Sequence, residues 1–214
     1  MAFNPNQLLN NPANLLALRG AKPPDHGAPD PDGGHKPFGK AETPEPEPFD
    51  RGLYLDAYSR LGLLRIANVA DLGCGQGNFT SVMSAKRQKN EVYIGVDSSH
   101  ARIQIARKAY PGWRFVYGDF TDPKVREEYE RFEAYLLLDV LDAMEDDLGF
   151  LERITPGKHL VFNVRKNMRE GAVRCFEDHF AVRTRYSALL SIKSMGSFRG
   201  GSDGGCGMVV ASRW

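Results

Sequence analysis

From position 69 onward, apolar residues fall into short continuous runs, and segments with helical spacing fill the gaps between them. Val69, Ala70 and Leu72 close a first buried strand, and the runs 91–97, 113–117, 134–138 and 159–164 predict four more. The run AYLLLD, 134–139, is apolar up to its final acid, as expected of a central parallel strand covered on both faces. The intervening segments predict helices. Over 49–61, Leu53, Tyr54, Ala57, Tyr58 and Leu61 share one side, and Gly62 is expected to end the helix. Further helices are expected from Asn78 to Arg87, over 100–109 behind a Ser99 N-cap, from Pro123 to Phe132, over 142–154 and over 167–178. Residues 180–192 alternate imperfectly and predict a long strand. Residues 208–214 predict the last strand, after a glycine-rich loop at 196–207. Strand alternating with helix predicts an α/β chain with a doubly wound, mostly parallel sheet.

The first 48 residues follow no such pattern. They hold ten of the 13 prolines, so they predict an N-terminal arm, separate from a domain over 49–214. Asn11 as N-cap, Pro12 in the first turn and Gly20 at the end predict one short helix. After it, 21–40 reads as disordered and EPEP, 45–48, as an extended spacer. The arm is expected to dock on its own domain, with a lid over the site or a partner contact as sharper alternatives.

The chemistry gathers at the strand ends. VADLGCGQGNFT, 69–80, reads as strand, glycine turn and helix start, with Asp71 placed where the strand meets solvent. Gly73, Gly75 and Gly77 are expected to let backbone N–H groups approach a ligand closely. Asp97 ends the second strand, 97 − 77 = 20 residues after the last glycine, the spacing at which an acid meets ribose hydroxyls in dinucleotide-type sites. Gly118-Asp119-Phe120 ends the third strand and Asp139 the fourth. In an open parallel sheet, the ligand crevice lies along those ends.

Composition narrows the classes. A net charge of +1 implies no bulk attraction to nucleic acid or membrane, and no apolar run is long enough to span a bilayer. Cys74, Cys175 and Cys206 form neither a metal pattern nor a disulfide framework, so a reducing, cytoplasmic setting and no metal are expected. Cys74 reads as a small residue fitting among glycines.

Taken together, DLGCGQGNF, GVD, GDF and LLLDVL resemble the successive motifs of class I S-adenosylmethionine-dependent methyltransferases. The resemblance implies a seven-stranded, Rossmann-like sheet with the last strand antiparallel, and S-adenosyl-L-methionine as cofactor. It implies that the backbone from Gly73 to Gly77, including Cys74 and Gly75, lies against the methionyl and ribose part. Asp71 would bind the amino group, Asp97 with Ser98 the ribose hydroxyls, and Gly118, Asp119 and Phe120 the adenine. Asp139 would lie nearest the reacting methyl. It also implies that Tyr54 and Tyr58 sit beside the pocket, against a plain reading of both as core.

For a proton acceptor, the candidates are Asp139, Asp142 and His179. Asp142 also reads as a helix cap, and His179 is expected to lie far from the methyl. The acceptor is open. LLLDVL stands where an amine-methylating Asn-Pro-Pro-Tyr motif would be, and the Lys-Asp-Lys-Glu set of RNA ribose methylation is incomplete. A basic cluster, Arg165, Lys166 and Arg169, follows the fifth strand and would suit an anionic acceptor. A small-molecule acceptor is favoured. Protein or RNA, or a non-catalytic cofactor-binding subunit, are the alternatives. A nicotinamide dehydrogenase is disfavoured by the GxGxG spacing.

Overall fold

The computed structural model describes residues 50–86, 91–196, 198 and 205–214. The expected arm and linker, and most of the glycine-rich loop, lie outside the described residues. Seven strands form one sheet: β1 (Asn68–Leu72), β2 (Val92–Asp97), β3 (Arg114–Tyr117), β4 (Ala134–Leu137), β5 (His159–Arg165), β6 (Leu190–Met195) and β7 (Cys206–Arg213). Their order is β3-β2-β1-β4-β5-β7-β6. The pairs β1–β2, β1–β4, β2–β3 and β4–β5 are parallel, whereas β7 runs antiparallel to both β5 and β6. The expected last-strand reversal is therefore present.

Six helices flank the sheet among the described residues: α1 (Arg51–Leu63), α2 (Asn78–Lys86), α3 (His100–Ala109), α4 (Pro123–Tyr129), α5 (Asp147–Arg153) and α6 (His179–Tyr186). Successive strand residues point to opposite faces. Ala70, Leu72, Tyr135 and Leu137 pack with Tyr129, Phe150 and Val182 from α4, α5 and α6. Val69, Ala134 and Leu136 pack with Leu53, Phe79 and Ile103 from α1, α2 and α3. Both faces are covered, which is why the central strands read as continuous apolar runs.

Local chemistry sets the helix ends. The Asp50 carboxylate accepts hydrogen bonds from Gly52 N (2.9 Å) and Leu53 N (3.2 Å) and starts α1. Gly62 does not end it: the helix continues to Leu63, and the chain turns at Arg65, with φ of 58°. Ser99 caps α3 as expected.

Three expectations fail after β4. The helix expected from Asp142 begins only at Asp147, with Asp146 as its cap. Asp142 is instead a buried loop residue. No helix covers 167–178. That segment is held as a loop by Val173 N to Asp142 O (2.8 Å) and Phe176 N to Arg165 O (2.9 Å). Residues 180–192 are not one strand but the body of α6 followed by the start of β6. Val182 and Tyr186, four residues apart, are both buried, while Phe180 is 76 % exposed; that is helical spacing, and it explains the imperfect alternation.

Candidate functional site

The glycine turn is fastened to the neighbouring strand rather than to itself alone. Gly73 N and Cys74 N both donate to Val96 O, at 2.8 and 3.0 Å. The Asp97 side chain completes the tie: Oδ2 accepts from Gly75 N at 2.8 Å, and Oδ1 accepts from Ser99 N at 2.8 Å. One carboxylate thus links the turn after β1 to the start of α3. A side chain at Gly73, where φ is 81°, would run into Val140 at 2.6 Å. At Gly75, where φ is 55°, a Cβ would meet nothing within 4 Å.

The expectation that the three glycines offer their N–H groups to a ligand is corrected: Gly73 N is held by Val96 O and Gly75 N by Asp97 Oδ2, and Gly77 is no exception. Its N–H is already used, donating to Cys74 O at 3.0 Å and closing the turn. A Cβ there would meet Tyr110 at 3.1 Å and Phe115 at 3.2 Å. Gly77 is therefore a packing glycine: it lets the start of α2 lie against the aromatic side chains beside β3, and it offers no free donor to a cofactor. The turn packs tightly behind, at Gly73 and Gly77, and faces open space in front, at Gly75.

Asp71 is not at a solvent boundary, as its sequence position suggested. It is 3 % exposed, and its Oδ2 accepts a hydrogen bond from the buried Tyr93 hydroxyl at 2.8 Å. Burial pushes its carboxyl up to about 7; the Tyr93 bond works against this and the nearby Asp97 charge adds to it. Burial likewise raises the Cys74 thiol well above its ordinary range, helped by Asp71 and Asp97, which favours the neutral thiol over the nucleophilic thiolate.

Tyr54 and Tyr58 part company. The Tyr54 hydroxyl is pushed up by burial and then by Asp71, with a smaller contribution from Asp139, and it hydrogen-bonds the Asn78 side chain. It therefore stands among the ends of β1 and β4. Tyr58, one turn on, points away and donates to Glu91 Oε1 at 2.7 Å.

At the end of β3, Asp119 is exposed and its Oδ1 accepts from both Thr121 N and Oγ1, each at 2.8 Å. Gly118 N donates to Asp97 O at 3.0 Å, so this loop adjoins the second acid. Phe120 packs edge-on to Phe150, with ring centroids 5.3 Å apart, and its carbonyl accepts from the Tyr129 hydroxyl at 2.5 Å. Ser98 is exposed beside Asp97.

Beyond β4 two arginines pair with two aspartates. Asp139, in a left-handed conformation with φ of 56°, receives Arg165 Nε at 2.8 Å and Nη2 at 2.9 Å, and Asn163 Nδ2 at 2.6 Å. Asn163 Oδ1 in turn accepts from Asp139 N at 2.6 Å. Burial alone would raise the Asp139 carboxyl, but the Arg165 and Asn163 bonds outweigh it and hold it below the usual carboxylate range. Asp142 is similarly gripped by Arg169, at 2.9 Å to each oxygen. Arg169 also reaches the Asp139 carbonyl.

His179 opens α6, with Nε2 3.0 Å from Gly196 O and its ring stacked on Phe198. Gly196 follows edge strand β6, which is separated from β4 by β5 and β7. The structure therefore brings Asp71, Asp97, the glycine turn and Asp139 to one edge and leaves His179 at its far end. Tyr93 and Asn163 were missed in the sequence. Asn163 had a signal, a lone amide inside the apolar strand HLVFNVR; Tyr93 had none, because it reads as core.

Residues 69–155 match the family described as a methyltransferase domain. A trans-aconitate 2-methyltransferase from Acidovorax sp. is 40% identical over 55 residues, covering 26% of this chain and 21% of the relative. One from Escherichia coli is 40% identical over 65 residues, covering 30% and 25%. The chain thus spans about a quarter or less of the length of these curated relatives. The N-methyltransferase NodS from Bradyrhizobium japonicum, solved with S-adenosyl-l-homocysteine, has the same fold. Its TM-score is 0.59 at 21% identity, over 79% of this chain and 89% of that one. A S-adenosylmethionine-dependent methyltransferase from Clostridium acetobutylicum aligns with a TM-score of 0.57 at 12% identity, over 77% and 92%.

Proposed function

We propose that this chain, whose residues 69–155 match the methyltransferase domain family and whose sheet has the class I, Rossmann-like order, is an S-adenosyl-L-methionine-dependent methyltransferase acting on a small anionic acceptor. The observation that carries the reading is the open face of Gly75 between two buried carboxylates, Asp71 and Asp97.

The residues fit the cofactor. Asp71 is a carboxylate whose burial is uncompensated by any cation among the described residues, and an ammonium group would relieve it. Asp97 has acceptor oxygens that suit paired ribose hydroxyls, which are donors. Asp119 and Phe120 flank it where adenine would lie. When bound, S-adenosyl-L-methionine supplies a methyl group already activated by a sulfonium.

The chain then has to hold an acceptor in line and exclude water. Neither Asp139 nor Asp142 suits a proton acceptor, since arginine occupies both oxygens of each. An acceptor that carries no proton, such as a carboxylate, needs none removed. Arg165 and Arg169, each already paired with an aspartate, would meet such an anion with their remaining N–H groups, and the partial relatives are named for trans-aconitate, a small carboxylate. Alignment and charge neutralisation, not base catalysis, then supply the rate.

The test has two stages. Calorimetry is expected to give binding of S-adenosylhomocysteine and none of NAD. Transfer of a labelled methyl group is then screened over small carboxylates, peptides and RNA. Tighter NAD binding sinks the cofactor reading. Transfer confined to peptide or RNA sinks the acceptor reading alone, and cofactor binding with no transfer to any of them favours a non-catalytic subunit.

A further inference from the structure

We infer that Asn163, a buried amide on β5, is a positioning residue for the cofactor: it fixes the chain leaving β4 so that Val140 braces the glycine turn. The inference rests on the reading that this turn holds the cofactor. Asn163 is 2 % exposed and stands among Leu160, Val161, Phe162 and Val164, all buried. An amide in such a strand costs more to bury than an apolar residue unless its hydrogen bonds are made. They are made, and two of them go to one residue. Oδ1 accepts from Asp139 N at 2.6 Å, and Nδ2 donates to Asp139 Oδ1 at 2.6 Å. Nδ2 also donates to Cys206 Sγ at 3.3 Å, so both ends of the amide are engaged. A single group thus holds the backbone and the side chain of Asp139 together.

Asp139 is where the chain turns out of β4. Its φ of 56° is a left-handed conformation, uncommon outside glycine and kept where neighbouring contacts determine it. Val140 comes next and is buried. Its Cγ2 lies 2.6 Å from where a Cβ on Gly73 would stand, so it fills the space behind the turn that the absent side chain leaves.

Two arginines also grip Asp139, in a different way. Arg165, two residues further along β5 and therefore on the same face of the strand, closes the carboxylate, and Arg169 reaches the carbonyl. Asn163 takes the N–H together with the carboxylate, which sets how residue 139 directs the chain into Val140. β4 separates β5 from β1, so the influence of Asn163 reaches the turn through Asp139 and Val140.

S-adenosylhomocysteine is the probe, titrated calorimetrically into the full chain. Asn163→Ala is expected to weaken it about fivefold or more, the lower end for coupled sites. Asn163→Ser, too short to reach both atoms of Asp139 at once, is expected to do the same and serves if the alanine variant does not fold. Val140→Ala is also expected to weaken binding. In that background Asn163→Ala is expected to cost little more, because the residue through which it acts is already truncated. Phe162→Leu, a core change in the same strand, is expected to lower the melting temperature comparably and leave affinity unchanged. The inference alone is overturned if folded Asn163→Ala or Asn163→Ser binds normally while Gly75→Ala binds weakly. It is also overturned if Phe162→Leu loses as much affinity at equal stability, or if the Asn163 and Val140 losses simply add. No binding by the natural chain, or full binding by Gly75→Ala, overturns the reading of the turn and this inference together.

Discussion

Arg165 closes both oxygens of Asp139 in a two-point ion pair, Nε to Oδ1 at 2.8 Å and Nη2 to Oδ2 at 2.9 Å. The two residues belong to adjacent strand ends, so the pair sets the spacing of the site between β4 and β5. Asn163 supports it from below. The result is a fixed guanidinium at the acceptor side, not a free base.

Asp139→Asn removes one charge and leaves Arg165 without its counterion. Both side chains keep partial exposure, so solvent screens the loss. The expected destabilisation is about 1–2 kcal/mol at neutral pH, measured by denaturant unfolding. Because Asp139 is held below its ordinary value, its contribution is present above the usual carboxylate range. It disappears as pH falls through the lowered value, and the two curves should converge in acid. Turnover is expected to fall more than cofactor affinity. Full turnover in Asp139→Asn alongside loss of turnover in a folded His179→Ala would instead make the histidine the base.

Asp71 has the opposite sign. Its carboxyl is raised from 3.8 to about 7, so the folded chain holds a proton that the unfolded chain releases. Its stabilising effect is complete below about 4 and is lost as pH rises through about 7. Asp71→Asn removes this loss, and at pH 8 the variant is expected to be more stable than the natural chain by about 1–3 kcal/mol. At pH 4 the two should match. The same variant is expected to bind S-adenosylhomocysteine more weakly. Lower stability at pH 8 would mean that the Asp71 charge is already compensated in the free protein.

Asp97→Ala leaves two ribose hydroxyls without an acceptor, a loss of about 1–3 kcal/mol, or about tenfold or more in affinity by calorimetry. It also frees Gly75 N and Ser99 N, so a smaller drop in melting temperature should accompany it. Unchanged affinity would reduce Asp97 to a tie between turn and helix.

Gly73→Ala and Gly75→Ala separate packing from binding. Both positions are left-handed, which costs alanine about 1–2 kcal/mol. Gly73→Ala also drives a methyl into Val140 and is expected to lower the melting temperature further. Gly75→Ala meets open space, so it should fold with only the backbone cost and lose cofactor affinity. Equal affinity losses at equal stabilities would mean that the open face of Gly75 is not the ligand side.

Much of the sheet and of its ligand edge was legible in the chain. β1, β2, β4 and β5 are covered on both faces, so they had to be apolar runs, and glycine turns and acids at strand ends are local features that survive without tertiary context. The last third was not legible in this way. Whether 167–178 coils or follows a loop depends on Arg169 and Arg174 reaching carbonyls around Asp139, Leu141 and Glu145, contacts made across about thirty residues of chain. Whether 180–192 is strand or helix depends on which of Phe180, Val182 and Tyr186 finds the core, since those spacings serve both periods. Side-chain roles followed the same division. That Asp97 ends the second strand follows from spacing; that its carboxylate ties Gly75 N to Ser99 N does not. Gly73, Gly75 and Gly77 read alike along the chain, and only the placement of Val140, Tyr110 and Phe115 behind the turn separates the two packed glycines from the open one. That Asp71 is buried and its carboxyl raised depends on the closed interior around it and on Asp97 nearby, against the opposing bond from Tyr93. That Asp139 is tied to Arg165 depends on β5 lying beside β4. Residue type and period fix which backbone elements form, while charge state and partnership are set by what the fold places within a few ångströms.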